Sequence, residues 1–245
     1  MNINFSNQTC IITGGSSGLG KTICLQFLKL GASVFITGTK DVAPEWTKAY
    51  KRCNYIKVNF LDKSSLDNFI NCIKKINKID VLINNAGVIK FDEIGTKEFA
   101  EGFMDVLNVN LFSAIQITNE TVINMKKNKY GRIINVSSVS GHIVKPNQSS
   151  YASTKQGLNG FTKGIAIDLA RYNILANSIC PSTINTPMTK NKLSEKQINL
   201  LNGNHPLKRL ASTSDISNVI TFLSSSNNTY YTGQSLIVDG GLSLN

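Results

Sequence analysis

Short apolar runs alternate with longer amphipathic stretches along the whole chain. Runs such as Cys10-Ile11-Ile12, Val34-Phe35-Ile36 and Ile133-Ile134-Asn135-Val136 have the continuous apolar character of strands buried on both faces of a parallel sheet. The pattern predicts strands at Gln8–Thr13, Ser33–Gly38, Tyr55–Asn59, Val81–Asn84, Arg132–Ser137, Ile174–Ile179 and Ser235–Val238. Helical periodicity fills the gaps at Leu19–Leu30, Ser64–Ile76, a long stretch near Ala100–Asn128, Ser150–Tyr172 and Thr213–Ser224. Strict β/α alternation implies parallel strands joined by right-handed helical crossovers. The expected fold is α/β: one doubly wound Rossmann-type domain, with a seven-stranded, mostly parallel sheet and helices on both faces. No Pro/Ser linker and no internal repeat divides it, so residues 1–245 are read as a single domain.

One stretch departs from this rhythm. Pro181 to Pro206 holds three of the five prolines, with only a short helical pattern at Ser194–Leu201. It follows a strand on the side where ligands bind in such sheets, so about 182–206 is expected to act as a substrate lid, with a plain surface excursion as the alternative.

Composition narrows the classes. Hydrophobic residues make up 41% of the 245 and charged residues 17%, enough for a sizeable core and against extensive disorder. No apolar run approaches the ~18 residues of a membrane span, and the first residues lack the basic and apolar regions of a signal peptide. Five scattered cysteines without a CxxC suit reduced thiols in the cytoplasm, and argue against a disulfide framework or a zinc site. With two histidines in the chain, no metal is expected. The net charge of +11 raises nucleic acid as a partner, yet the densest cluster, Lys126-Lys127-Asn128-Lys129, is short and lacks aromatic interleaving beyond Tyr130. The charge is better matched to anionic ligands, phosphates or an acidic carrier, than to nucleic acid.

Chemistry concentrates at two places. Thr13-Gly14-Gly15-Ser16-Ser17-Gly18-Leu19-Gly20 follows the first strand and opens the first helix. Its glycines permit a tight turn and close approach of backbone to a pyrophosphate, and the helix N-terminus supplies oriented N–H groups. The spacing is G-x-x-x-G-x-G, and no GK[ST] follows, so it is not a P-loop. At the end of the second strand, where a bare ribose usually meets an acid, stand Gly38, Thr39 and Lys40. A hydroxyl and an ammonium suit a 2′-phosphate, which favours NADP(H) over NAD(H). Asp41 leaves the other reading open, since a shift of one residue would bring it to the ribose, and Lys40 can equally be a solvated turn residue.

The second place is Tyr151-Ala152-Ser153-Thr154-Lys155. Positions i and i+4 share a helix face, so the phenol and ammonium can meet. A nearby cation favours the phenolate and lowers its pKa from about 10, which makes Tyr151 a candidate acid/base. The pair alone is a common pattern on helices.

The motifs together are far more specific. Thr13–Gly20, Asn84-Asn85-Ala86-Gly87, Asn110, Ser138, Tyr151/Lys155 and Val238-Asp239-Gly240-Gly241 stand in the order and spacing of the short-chain dehydrogenase/reductase family. The resemblance spans nearly the whole chain and is nearest the branch of bacterial 3-oxoacyl-carrier-protein reductases and related alcohol and sugar dehydrogenases. It implies hydride transfer between a nicotinamide cofactor and a small carbonyl or alcohol, with Tyr151 as catalytic acid and Ser138 as the hydroxyl that positions the substrate oxygen. Ser137 competes with Ser138, and the thirteen-residue interval to Tyr151 decides for Ser138. Lys155 resembles the lysine that holds the ribose and lowers the Tyr pKa, and Asn110 the residue whose backbone anchors a water beside that lysine. Gly14, Ser16, Ser17, Gly18, Leu19 and Gly20 would cradle the cofactor, Asn59 would face the adenine, and Asn85, Ala86 and Gly87 would lie along the ribose. Pro181, Ile184 and Thr186 would meet the carboxamide. Two departures stand out: Ser182 where the family commonly has Gly, and Ser17 where many NADP-dependent relatives carry Arg. Lys129 and Arg171 resemble positions that dock an acidic carrier protein. The long helices resemble pairs that pack between subunits in a homotetramer. A sugar or other small-alcohol dehydrogenase is the alternative within the family, and a non-catalytic dinucleotide sensor the alternative outside it.

Overall fold

The chain is described here by a computed structural model covering residues 2–91, 93–186, 189 and 194–244. Seven strands, β1 Thr9–Ile12, β2 Ser33–Gly38, β3 Cys53–Lys57, β4 Val81–Asn84, β5 Gly131–Val136, β6 Ile174–Pro181 and β7 Ser235–Val238, form one sheet in the order β3-β2-β1-β4-β5-β6-β7. Every pairing is parallel, which sharpens the expectation of a mostly parallel sheet. The direction of strand order reverses between β1 and β4, and in open α/β sheets that reversal opens the ligand crevice at the carboxyl ends of the strands.

The helices are α1 Gly18–Lys29, α2 Lys63–Lys74, α3 Lys97–Leu107, α4 Ser113–Asn128, α5 Ser149–Leu169, α6 Glu195–Asn204 and α7 Thr213–Ser224. Leu19, Ile23 and Phe27 recur at intervals of four on α1, and with Ile216, Ile220 and Leu223 of α7 they cover one face of the sheet. Phe69 and Ile73 of α2, Ile117 and Met125 of α4, and Ala166 and Leu169 of α5 cover the other. Strands covered on both faces have no solvated side, so β5 and β6 are buried at every position. Side-chain caps start several helices. Asp62 accepts from Ser64 N at α2, and the Ser194/Gln197 and Ser212/Asp215 capping boxes open α6 and α7.

Two sequence expectations shift. β3 begins and ends two residues before the expected Tyr55–Asn59, because Asn59 leaves the ladder: its N–H donates to the Ser65 hydroxyl and its Oδ1 accepts from Leu61 N. The long helix near Ala100–Asn128 is two helices joined by a π-helical turn at Asn108–Phe112. Such turns are commonly tied to function, and this one carries Asn110. Among the described residues, no helix is long and apolar enough to cross a membrane.

Candidate active site

The turn between β1 and α1 is built as a cradle. Gly14 sits at φ +64°, and its N–H donates to the Thr37 hydroxyl at 3.0 Å. A Cβ at Gly14 would lie 3.0 Å from the Ala86 Cα, so only glycine lets the β1 and β4 turns approach so closely. Thr13 Oγ1 accepts from both Asn85 N and Ala86 N at 3.0 Å. The Asn85 amide donates to the Thr13 carbonyl at 2.9 Å and to the Gly14 carbonyl at 3.2 Å. The Asn85 side chain is therefore a staple for the turn, and the backbone of Ala86 and Gly87 is what faces the crevice. Ser17 caps α1 in an extended conformation without a side-chain bond, and the first turn of α1 holds no acidic residue. The end that attracts phosphate therefore keeps its positive potential. Gly18 faces Thr186 across about 3.8 Å measured from an ideal Cβ, which puts the segment after β6 over the same turn. These residues fit a dinucleotide pyrophosphate.

At and beyond the ends of β2 and β3, Thr39, Lys57 and Asn59 line a cavity of about 590 Å³ together with Asp62, Ser64, Ser65 and Asn68. Lys40 is exposed, and its carbonyl accepts from the Tyr55 hydroxyl at 2.6 Å. Asp41 forms an ion pair with Lys57, which holds its carboxyl below the ordinary aspartate range. Lys57 escaped the sequence reading, because only the register Gly38↔Lys57 brings β3 to this point.

The other half of the site lies at the ends of β5 and the start of α5. Ser137 and Ser138 leave the sheet together. The Ser137 hydroxyl is buried and donates to the Lys155 carbonyl at 2.9 Å, which commits it to holding α5. The Ser138 hydroxyl accepts from Ser140 N at 3.1 Å and also bonds the Tyr151 phenol. Strand alternation could not separate these serines; their partners do. Lys155 is buried, donates from Nζ to the Val136 carbonyl at 2.8 Å, and stands 5.5 Å from the Tyr151 ring centre. An ideal Cβ on Gly87 would lie 3.3 Å from Asn110 Oδ1 and 3.4 Å from Lys155 Nζ, so the β4 turn, the π-helical turn and α5 meet there. Asn110 is held there by its side chain: Oδ1 accepts from Val88 N at 2.8 Å, and Nδ2 donates to Val88 O at 2.9 Å and Thr154 Oγ1 at 3.3 Å. Asn110 is thus neither solvated nor capping.

The electrostatics differ from the expectation that Lys155 lowers the phenol. Burial pushes the Tyr151 phenol up, and the Ser138 hydrogen bond pulls it partly back. Burial also brings the Lys155 ammonium down to about 8, opposed by the Cys180 thiol. Desolvation acts against the charged form of both groups, so the site holds a neutral phenol with its proton available to give.

The segment read as a lid is partly outside the described residues: 187, 188 and 190–193. Pro181 ends β6, and Ile184 pairs with Ala211. Thr186 Oγ1 lies 3.1 Å from Thr189 Oγ1, and the Thr189 hydroxyl donates to the Ile184 carbonyl at 2.6 Å. Ile143 and Val144 expose apolar surface beyond Ser138. Among the described residues, no cluster of His, Cys, Asp and Glu could hold a metal.

This arrangement has close counterparts. A sequence model of the short chain dehydrogenase family matches residues 8–197. The chain is 35% identical over 244 residues to the 3-oxoacyl-[acyl-carrier-protein] reductase FabG of Rickettsia bellii, covering 98% of each chain. It is 34% identical over 249 residues to the FabG of Aquifex aeolicus, covering 99% of this chain and 100% of that one. Among solved structures, ElxO with NADP bound superposes with a TM-score of 0.89 at 29% identity, covering 97% of this chain and 99% of that one. A glycine turn that fits a pyrophosphate and a Ser–Tyr–Lys group at the carboxyl edge of one parallel sheet thus agree with the whole-chain match: the protein belongs to the short-chain dehydrogenase family of oxidoreductases.

Proposed function

We propose that this oxidoreductase is an NADPH-dependent ketoreductase that reduces a 3-oxoacyl thioester presented by an acidic carrier protein. The observation that carries the reading is the convergence of Ser138, Tyr151 and Lys155 beside Gly87 and Asn110. When bound, the cofactor supplies hydride to the carbonyl carbon. Tyr151 gives its phenolic proton to the carbonyl oxygen. Ser138 donates a hydrogen bond to that oxygen and sets its distance from the phenol. Lys155, protonated below about pH 8, places positive charge beside the developing negative charge and holds the ribose. The backbone at Asn110 anchors a water through which the lysine exchanges protons with solvent. The whole chain works as one cofactor-binding and catalytic unit.

The substrate class rests on the acyl-carrier-protein reductases among its relatives and on a basic group at the ends of α4 and α5. Lys126 and Arg171 both lie over the Tyr172 ring, at 5.3 and 4.9 Å, and exposed Lys129 caps α4 in a left-handed conformation. The cofactor choice rests on Thr39, Lys40 and Lys57 and on the NADP bound by ElxO. We also propose a homotetramer, supported by Phe112 of the π-helical turn, Ile123 of α4 and Ile167 of α5, which expose apolar side chains. Five free thiols suit the cytoplasm.

The test is a substrate panel followed by NADPH oxidation, including an acetoacetyl thioester, keto-sugars and a simple ketone. The thioester should give the highest kcat/KM, and NADPH should bind at least ~10-fold more tightly than NADH. Preferential turnover of a keto-sugar, or equal nucleotide affinities, would overturn the substrate or cofactor assignment respectively.

A further inference from the structure

The sulfurs of Cys24 and Cys53 lie 3.8 Å apart, in contact across the space between α1 and the edge strand β3. The two thiols differ in access. Cys24 is fully buried in the second turn of α1, whereas Cys53 is half-buried at the first residue of β3. The remaining thiols are differently placed: Cys10 and Cys180 are fully buried, and Cys72 is exposed on α2. We propose that Cys24 and Cys53 are a peroxide-reactive modification site that closes to a reversible disulfide, with Cys53 as the attacking thiol and Cys24 as the resolving one.

The contact supplies both parts of the chemistry. Cys24 hydrogen-bonds Cys53 and pulls the Cys53 thiol below its ordinary value, while the same hydrogen bond and then burial push Cys24 up. The thiolate form is the nucleophile, so reactivity falls to the residue that a small oxidant can reach at the sheet edge. Cys53 thiolate attacks one peroxide oxygen, the O–O bond breaks, and the departing hydroxide is protonated to water, leaving Cys53 sulfenic acid. The Cys24 sulfur then displaces that hydroxyl as a second water and the S–S bond forms. The two thiols lose two electrons and two protons in total, and the peroxide takes them. A dithiol reductant reverses the step by exchange. Bringing the sulfurs from 3.8 Å to the ~2.05 Å of a disulfide calls for side-chain rotation between elements already packed together. The bridge would tie the middle of α1 to β3. Both elements also carry cofactor-facing residues, at the Gly18 end of α1 and the Lys57 end of β3.

The experiment treats the folded protein with hydrogen peroxide, quenches with an alkylating agent, and maps peptides by mass spectrometry. The expected result is a Cys24–Cys53 linked peptide, loss of two of the five titratable thiols, and recovery of both with dithiothreitol. In Cys24→Ser, a sulfenic-acid probe should label Cys53. In Cys53→Ser, no linked peptide should form. Oxidation of Cys72 with Cys24 and Cys53 still free, or a Cys24–Cys53 link formed only after unfolding in guanidinium, would overturn the proposal. The wild-type map decides the matter even if either serine variant fails to fold.

Discussion

Nε2 of His205 lies 3.0 Å from the hydroxyl of Ser182, and Nδ1 of the same ring lies 2.7 Å from the Leu201 carbonyl. A carbonyl only accepts, so Nδ1 donates to Leu201, while Nε2 and the Ser182 hydroxyl share the second hydrogen bond. Both residues are buried. The contact ties Ser182, the residue after β6, to the end of α6, so the serine that stands where the resemblance leads one to expect glycine is fastened to that helix. Ser182→Gly or His205→Gln leaves a buried polar group unpaired and should cost about 1–2 kcal/mol. The substrate KM should rise several-fold with kcat changed less. The double variant should be little worse than either single one, and full additivity in thermal denaturation would show that the two residues do not act together.

Tyr151→Phe removes the proton without changing the ring. Turnover should fall at least ~100-fold, while NADPH binding, measured by nucleotide fluorescence, stays within a few-fold. Substantial residual turnover would take the acid role away from Tyr151.

Lys57 is the cation that strand register brings to the end of β2, where it pairs with Asp41. Lys57→Met should weaken NADPH binding about tenfold, the loss of one charge-assisted contact, and leave NADH nearly unchanged. Asp41→Asn should tighten NADPH modestly by freeing the ammonium. An unchanged NADPH/NADH ratio in Lys57→Met would return the phosphate to Thr39 and Lys40 alone.

The pH dependence of stability follows from Lys155. Its folded pKa of about 8 lies below the ordinary 10.5, so between these values the unfolded chain holds a proton that the folded chain has released. Stability therefore gains with rising pH across that window, and below it the buried charge is a constant cost. Lys155→Met should be more stable than wild type by about 1–2 kcal/mol at pH 7, after loss of the bond to Val136. That advantage should shrink toward pH 10 in denaturant titrations. A difference independent of pH would mean that the ammonium is not buried as a charge.

Lys129→Glu should raise the KM for a carrier-bound substrate several-fold at low salt and leave a free thioester unaffected, because the charge acts on the carrier and not at the site. Equal effects on both substrates would remove Lys129 from docking.

Local signals carried most of the architecture. The β/α alternation announced the strands most plainly at the centre of the sheet, where β4, β5 and β6 are buried on both faces and are largely apolar. The Gly-rich turn and the Tyr151–Lys155 spacing were equally plain, because a tight turn and a helix face are made by neighbours in sequence. The π-helical turn at Asn108–Phe112 was not legible: helical periodicity continues across it, and only the pull of Asn110 on Val88 shows where the helix departs from regularity.

What the chain alone determined, then, was the parallel α/β sheet and the positions of its chemistry-bearing residues. Tertiary structure decided their states. Burial reversed the expected shift of Tyr151, and a long-range hydrogen bond to the Lys155 carbonyl spent Ser137 and left Ser138 for the phenol. Register between strands delivered Lys57, and a separation of 23 residues was closed between Ser182 and His205. The physical reason is common to all four. Desolvation and hydrogen-bond partnership depend on what packs beside a group in space, and for these residues the decisive neighbours are distant in sequence.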